Sequence, residues 1–104
     1  MFLNNKYTRT YDAIIAKARL RRVQTGFTEK HHVIPRSLGG GSGYNLVRLT
    51  PREHFICHWL LIRMVSHSIL KAKMENSLRL MKTNNHTKKE PYTAPITKRV
   101  YSNL

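Results

Sequence analysis

Apolar residues recur at helical spacing in three stretches of the chain and cluster in two short, strand-like ones. Over residues 7–23, YTRTYDAIIAKARLRRV, Tyr7, Tyr11, Ile14, Ile15 and Ala18 fall on one side, while Lys17, Arg19 and Arg21 lie mainly elsewhere. That pattern predicts an amphipathic helix with a solvated basic face. Thr10 is a candidate cap, and Gly26 a candidate residue just past the helix end. Phe27 to Val33 reads as a short strand, stopped at Pro35. Leu46 to Leu49 reads as its hairpin partner, with Leu46 and Leu49 packing and Arg48 pointing outward. The loop between them carries Gly39, Gly40, Gly41 and Gly43, which let the chain turn sharply where side chains would clash.

The next helix has the clearest start signal. Thr50 stands at the N-cap, Pro51 at the first helical position, and Glu53 two residues later completes a capping box. From Pro51 to about Val65 the sequence is apolar on most sides, which predicts a buried helix covered by the hairpin and by the first helix. A third helix is expected over 68–82, capped by Ser66 or Ser68, with Ile69, Leu70, Met74, Leu78 and Met81 as its stripe. Residues 1–6 read as a frayed start. Residues 83–104 are polar, contain Pro91 and Pro95, and have no helical period, so a mobile or DNA-ordered tail is expected. The domain is therefore read as 1–82, with the tail outside it, and the fold class as α+β.

Histidines change this picture. On the capped helix His54 and His58 are four apart, one turn along one face. Two imidazoles so placed can share one transition metal. His31 and His32 are adjacent on the first strand, so they point to opposite faces. One can complete the metal site while the other faces a substrate. Glu29, two residues before His31, emerges on the same strand face and is placed to accept a proton from a ligand imidazole. A protease of the His-Glu-x-x-His type is excluded, because Phe55 follows His54 where that motif needs Glu. Cys57 reads as a buried apolar thiol, His67 and His86 as structural or exposed.

Charge narrows the partner. Nineteen Lys and Arg face five acidic residues, a formal charge of +14. Such a surface attracts a polyanion. One cysteine excludes a disulfide framework and a four-cysteine zinc ribbon. No apolar run approaches the ~20 residues of a membrane span, and MFLNNKYTRT has no leader-like core, so a cytoplasmic protein with no membrane partner is expected.

The run FTEKHHVIPRSLGGGSGYNLVRLTPREHFICHWLLI resembles the HNH endonucleases of the ββα-metal superfamily, and its His-His pair with three-histidine spacing is similar to colicin nuclease domains. Residues 7–64 resemble small phage-encoded HNH proteins. The resemblance implies a β-hairpin and helix gripping one divalent ion per chain, with His31, His54 and His58 as ligands and His32 as general base. It matches Asn45 to the central asparagine that holds the loop and orients the base. It implies hydrolysis of double-stranded DNA to 5′-phosphate and 3′-hydroxyl ends, by a monomer or a homodimer, with homing, packaging and DNA degradation as possible settings. Three imidazoles suit Zn²⁺, Ni²⁺, Co²⁺ or Mn²⁺ better than Mg²⁺. Arg36, Arg48 and Arg52 surround the site in sequence and, with Arg21 and Arg22, are candidates to grip phosphate. A different class of function is a non-catalytic nucleic-acid-binding module with a structural metal, and a ribonuclease is a third.

Overall fold

The computed structural model describes residues 1–21 and 26–85, with backbone only for 83–85. Arg22 and residues 86–104 lie outside that range, as does most of the expected tail. The fold is α+β, in the order α1 (Lys6–Leu20), β1 (Glu29–His32), β2 (Leu46–Leu49), α2 (Pro51–Met64) and α3 (Ser68–Asn85). Among the described residues no helix is long and apolar enough to cross a membrane.

α1 begins at Asn5, not at Thr10. The Asn5 side chain accepts from the Thr8 amide, while Thr10 lies inside the helix and bonds back to the Lys6 carbonyl. Asn is among the strongest N-caps because its short side chain reaches the otherwise unpaired amides. α1 ends at Leu20, before Gly26 can act as its stop. Tyr11, Ile14, Ile15 and Ala18 are buried, as the periodicity requires. The first residues are not frayed: Phe2 and Val65 form an antiparallel bridge, and the Leu3 amide donates to the Met64 carbonyl. The chain start thereby covers the end of α2.

β1 and β2 pair antiparallel, with Glu29 opposite Leu49, Lys30 opposite Arg48, His31 opposite Val47 and His32 opposite Leu46. The strands are shorter than the expected Phe27–Val33, since Phe27 lies outside the ladder and is exposed. Val47 and Leu49 face the core, and Leu46 shares the outer face with Arg48. Strand alternation forces this, because Leu46 and Leu49 have opposite parity and cannot both point inward.

α2 is the central element. Its capping box is complete: Thr50 accepts from the Glu53 amide, and the Glu53 carboxylate accepts from the Thr50 amide. Phe55, Ile56, Cys57, Leu60, Leu61 and Met64 are buried, packed between α1, α3 and the hairpin. Full burial of each leucine contributes about 1.5–3 kcal/mol. Trp59 packs at the core's edge under the Arg63 guanidinium, consistent with a structural role. On α3, Met74 and Met81 are buried, but Ile69 is 71% exposed and lies off the packed stripe. α3 continues three residues past 82, to Asn85.

Candidate metal centre

Two elements bring three histidines together. β1 turns Glu29 and His31 inward and leaves Lys30 and His32 on the outer face. α2 presents His54 and His58 from successive turns of one face. One ring nitrogen from each of His31, His54 and His58 lies within 4.8 Å of the others. The ring centroids form a nearly equilateral triangle, with sides of 5.1, 5.2 and 4.9 Å. His54 Nε2 and His58 Nε2 are 3.2 Å apart.

These spacings fit a transition-metal ion. Nitrogen ligands about 2.0–2.1 Å from a tetrahedral ion lie about 3.3–3.4 Å from one another, and their rings centre about 5 Å apart. His31 Nδ1 is buried without a hydrogen-bond partner, an unusual condition for a buried polar atom that a metal bond would relieve. Three imidazoles leave a fourth position for water or substrate, unlike a closed structural site of four protein ligands. Cys57, fully buried in the core, is not part of the group.

The electrostatics keep two of these rings uncharged. Burial, reinforced by the neighbouring His58, His54 and His32, pushes the His31 pKa down to about 2. Burial and His54 push His58 down to about 3, against an opposing pull from Glu29. Both rings are neutral at pH 7, so each has one bare ring nitrogen to offer an ion. Glu29 is buried, and its Oε1 lies 3.1 Å from His54 Nδ1. That contact has the geometry expected of a carboxylate behind a metal-binding imidazole: it favours a proton on Nδ1 and leaves Nε2 toward the centre.

His32 is half-buried on the outer face of the hairpin, and its ring makes no hydrogen bond among the described residues. Asn45 closes the loop behind it. Its Oδ1 accepts from the Ile34 amide at 2.8 Å, its Nδ2 donates to the Ile34 and Gly41 carbonyls, and its own carbonyl accepts from the Val33 amide. All of these bonds go to backbone, and none reaches the His32 ring. Asn45 therefore fixes the segment that follows His32.

Arg36, Arg48 and Arg52 are exposed and form no ion pair among the described residues. Arg21 is placed differently, since its Nη2 donates to both oxygens of Glu53 and ties the end of α1 to the start of α2. Burial raises the Glu53 pKa, but the hydrogen bond from Arg21, with the contacts of Thr50, wins and holds it below the usual carboxylate range. Two residues escaped the sequence reading. Lys30 stands directly across the ladder from Arg48, a position strand pairing could have indicated. Tyr11 was visible only as an apolar stripe residue, yet its hydroxyl lies 2.7 Å from His31 Nε2 and donates to the Val33 carbonyl at 2.7 Å. A fully buried tyrosine needs a partner for its hydroxyl, which was the available signal.

The chain is related in sequence to phage proteins named as endonucleases. It is 48% identical over 63 residues to probable mobile endonuclease D of Enterobacteria phage T4, a match covering 56% of this chain and 24% of that protein. Probable mobile endonuclease E of the same phage is 42% identical over 59 residues, covering 56% of this chain and 42% of the relative. Probable mobile endonuclease C is 34% identical over 87 residues, 79% of this chain and 39% of the relative. The chain thus spans less than half the length of these curated relatives. No family model matches it. No solved structure matches it.

Proposed function

We propose that this chain is a metal-dependent HNH-type endonuclease that hydrolyses phosphodiester bonds of double-stranded DNA. One observation carries the reading: three histidines converge from a hairpin and a helix, and a fourth, His32, stands next to one of them on the opposite strand face. The phage relatives named as endonucleases support the same class of activity.

His31, His54 and His58 would hold one divalent ion, with Glu29 steadying His54. When bound, that ion polarises the phosphate and stabilises the departing 3′-oxygen. His32 accepts the proton of the attacking water, and the products are 5′-phosphate and 3′-hydroxyl ends. A positioned base contributes about 10²–10⁴ in rate. Asn45 positions His32 by fixing Val33 and Ile34.

The outer face of the hairpin supports a phosphate contact there. Lys30 and Arg48 are exposed and directly opposed across the ladder. Like charges so placed repel, at a cost of a few tenths of a kcal/mol up to ~1 kcal/mol, and an anion between them relieves it. His32 lies on the same face. Arg36 and Arg52 are the further candidates, whereas Arg21 would have to leave Glu53 to reach DNA.

The test is nicking of supercoiled plasmid over a panel of Zn²⁺, Ni²⁺, Co²⁺, Mn²⁺ and Mg²⁺, for wild type and His32→Ala. The expected result is metal-dependent conversion by wild type and loss of about 10²-fold or more in the variant, with metal and DNA binding retained. Equal cleavage by the two proteins would refute His32 as the base. Binding of DNA without cleavage under any metal would replace the enzyme with a nucleic-acid-binding module.

A further inference from the structure

The hydroxyl of Tyr11 has one proton, and its position is fixed by its two neighbours. The Val33 carbonyl can only accept, so at 2.7 Å it takes that proton. His31 Nε2, also 2.7 Å away, must then donate to the hydroxyl's lone pair. A neutral imidazole carries one proton, and with Nε2 protonated, Nδ1 is bare. Nδ1 is the buried His31 nitrogen that has no partner within the protein. The other nitrogen is committed to Tyr11, so Nδ1 is the one available to the His54 and His58 rings.

We propose that Tyr11 is a positioning residue of the metal centre: it locks His31 in the Nε2–H tautomer and aims bare Nδ1 at the ion. The proposal rests on the three histidines holding a metal, and not on the hydrolysis. Its consequence is architectural. Tyr11 belongs to α1, His31 to β1 and Val33 to the segment after β1, so one hydroxyl ties the first helix to both the hairpin and the metal site. Glu29 supplies the equivalent constraint on His54, so two of the three imidazoles are oriented by partners from different elements.

The experiment uses the full chain stripped of metal and needs no catalysis. Long-range ¹H–¹⁵N spectra of the imidazoles report the tautomer of each histidine. Wild-type His31 is expected wholly as Nε2–H, and the opposite tautomer would overturn the proposal without any variant. Tyr11→Phe keeps the ring and removes the hydroxyl. The expected result is a mixed His31 tautomer and a Zn²⁺ or Co²⁺ affinity lower by about 10–100-fold in competition titration, the range for losing a partner behind a ligand histidine. Met81→Ala on α3, buried but outside the core cluster that holds Tyr11, should alter thermal stability but neither readout. Wild-type tautomer and affinity in Tyr11→Phe would overturn the role of Tyr11 alone. A wild-type chain that binds none of the metals would overturn the metal centre and the role of Tyr11 with it.

Discussion

Gly40 is the position where a single methyl group should do most harm at least cost in polarity. A Cβ built there would lie 1.7 Å from the Ile34 carbonyl oxygen and 2.8 Å from Asn45 Nδ2. Restoring an ordinary 3.4 Å contact requires the two backbone segments to separate by about the missing 1.7 Å. Because the Cβ would wedge against both Ile34 and Asn45, the hydrogen bonds that hold this junction cannot survive that separation. They are Ile34 N–H to Asn45 Oδ1 at 2.8 Å, Asn45 Nδ2 to the Ile34 carbonyl at 3.0 Å, and Gly40 N–H to the Pro35 carbonyl at 3.0 Å. At about 0.5–1.5 kcal/mol each, their loss costs about 1.5–4.5 kcal/mol. Stiffening of the unfolded chain returns about 0.4–1 kcal/mol, leaving a net loss of about 1–4 kcal/mol for Gly40→Ala. Gly41 is the control, since nothing lies within 4 Å of its Cβ position. Gly41→Ala should be neutral or slightly stabilising. Urea denaturation of both variants measures the difference, which should shift the midpoint by roughly 1 M with unchanged slope. If the two variants fall within about 0.5 kcal/mol of each other, the clamp between Asn45 and Ile34 does not hold the loop, and the account of Asn45 fails with it.

Three further outcomes follow from the same geometry. Glu29→Gln should weaken Zn²⁺ or Co²⁺ binding by about 10–100-fold while leaving the circular-dichroism spectrum unchanged; unchanged affinity would show that the contact with His54 does not orient the ring. Lys30→Ala and Arg48→Ala should each lower the slope of log affinity for duplex DNA against log salt by about 1, and each should leave the fold as stable or slightly more so, because the cross-strand repulsion is gone; an unaltered slope would remove the hairpin face from the DNA contact. In chelator-treated protein, stability should fall with acidity. Below about pH 6.5 the unfolded chain protonates His31 and His58, whereas the folded rings resist down to about 2 and about 3. The unfolded state then binds more protons, so the loss begins near pH 6.5 and amounts to at most about 1.4 kcal/mol per unit for each ring. A urea midpoint that does not move between pH 7 and pH 5 would contradict the burial of these rings.

What the sequence made legible was local. The capping box, the one-turn spacing of His54 and His58, and the opposite faces of His31 and His32 depend on residues within four positions of one another. Backbone geometry alone sets them. The features that escaped depend on contacts between distant segments. Tyr11 lies twenty positions before His31, and only the rotation and depth of α1 decide whether its hydroxyl meets an imidazole or water. The Phe2–Val65 bridge joins residues that no periodicity links. Two local readings went astray for a different reason. A four-residue strand offers too few positions to reveal which parity is buried, so Leu46 was placed inward when Val47 is. In α1, Asn5 and Thr10 both offer an oxygen to a helix start, and the cap went to the one that lets Tyr7 remain in the helix, where its ring meets Trp59 edge-on at 6.2 Å.

The division of charge within the fold bears on how such a site could work. The chain carries +14 overall, yet the pocket where the three histidines meet contains two rings, His31 and His58, whose pKa values burial lowers, and one carboxylate. Protonated imidazoles there would repel a divalent ion, so lowering the His31 and His58 pKa values extends the range in which those rings can bind to pH values below neutral. The cations are instead outside, on the hairpin face with His32 and at Arg36 and Arg52, where a phosphate backbone would arrive. β1 achieves the separation with four residues: Glu29 and His31 inward, Lys30 and His32 outward. A one-residue slip in the hairpin register would exchange the two sets. It would place Lys30 in the pocket and expose His31. The loop clamp between Asn45 and Ile34 lies immediately beyond β1, where it opposes that slip.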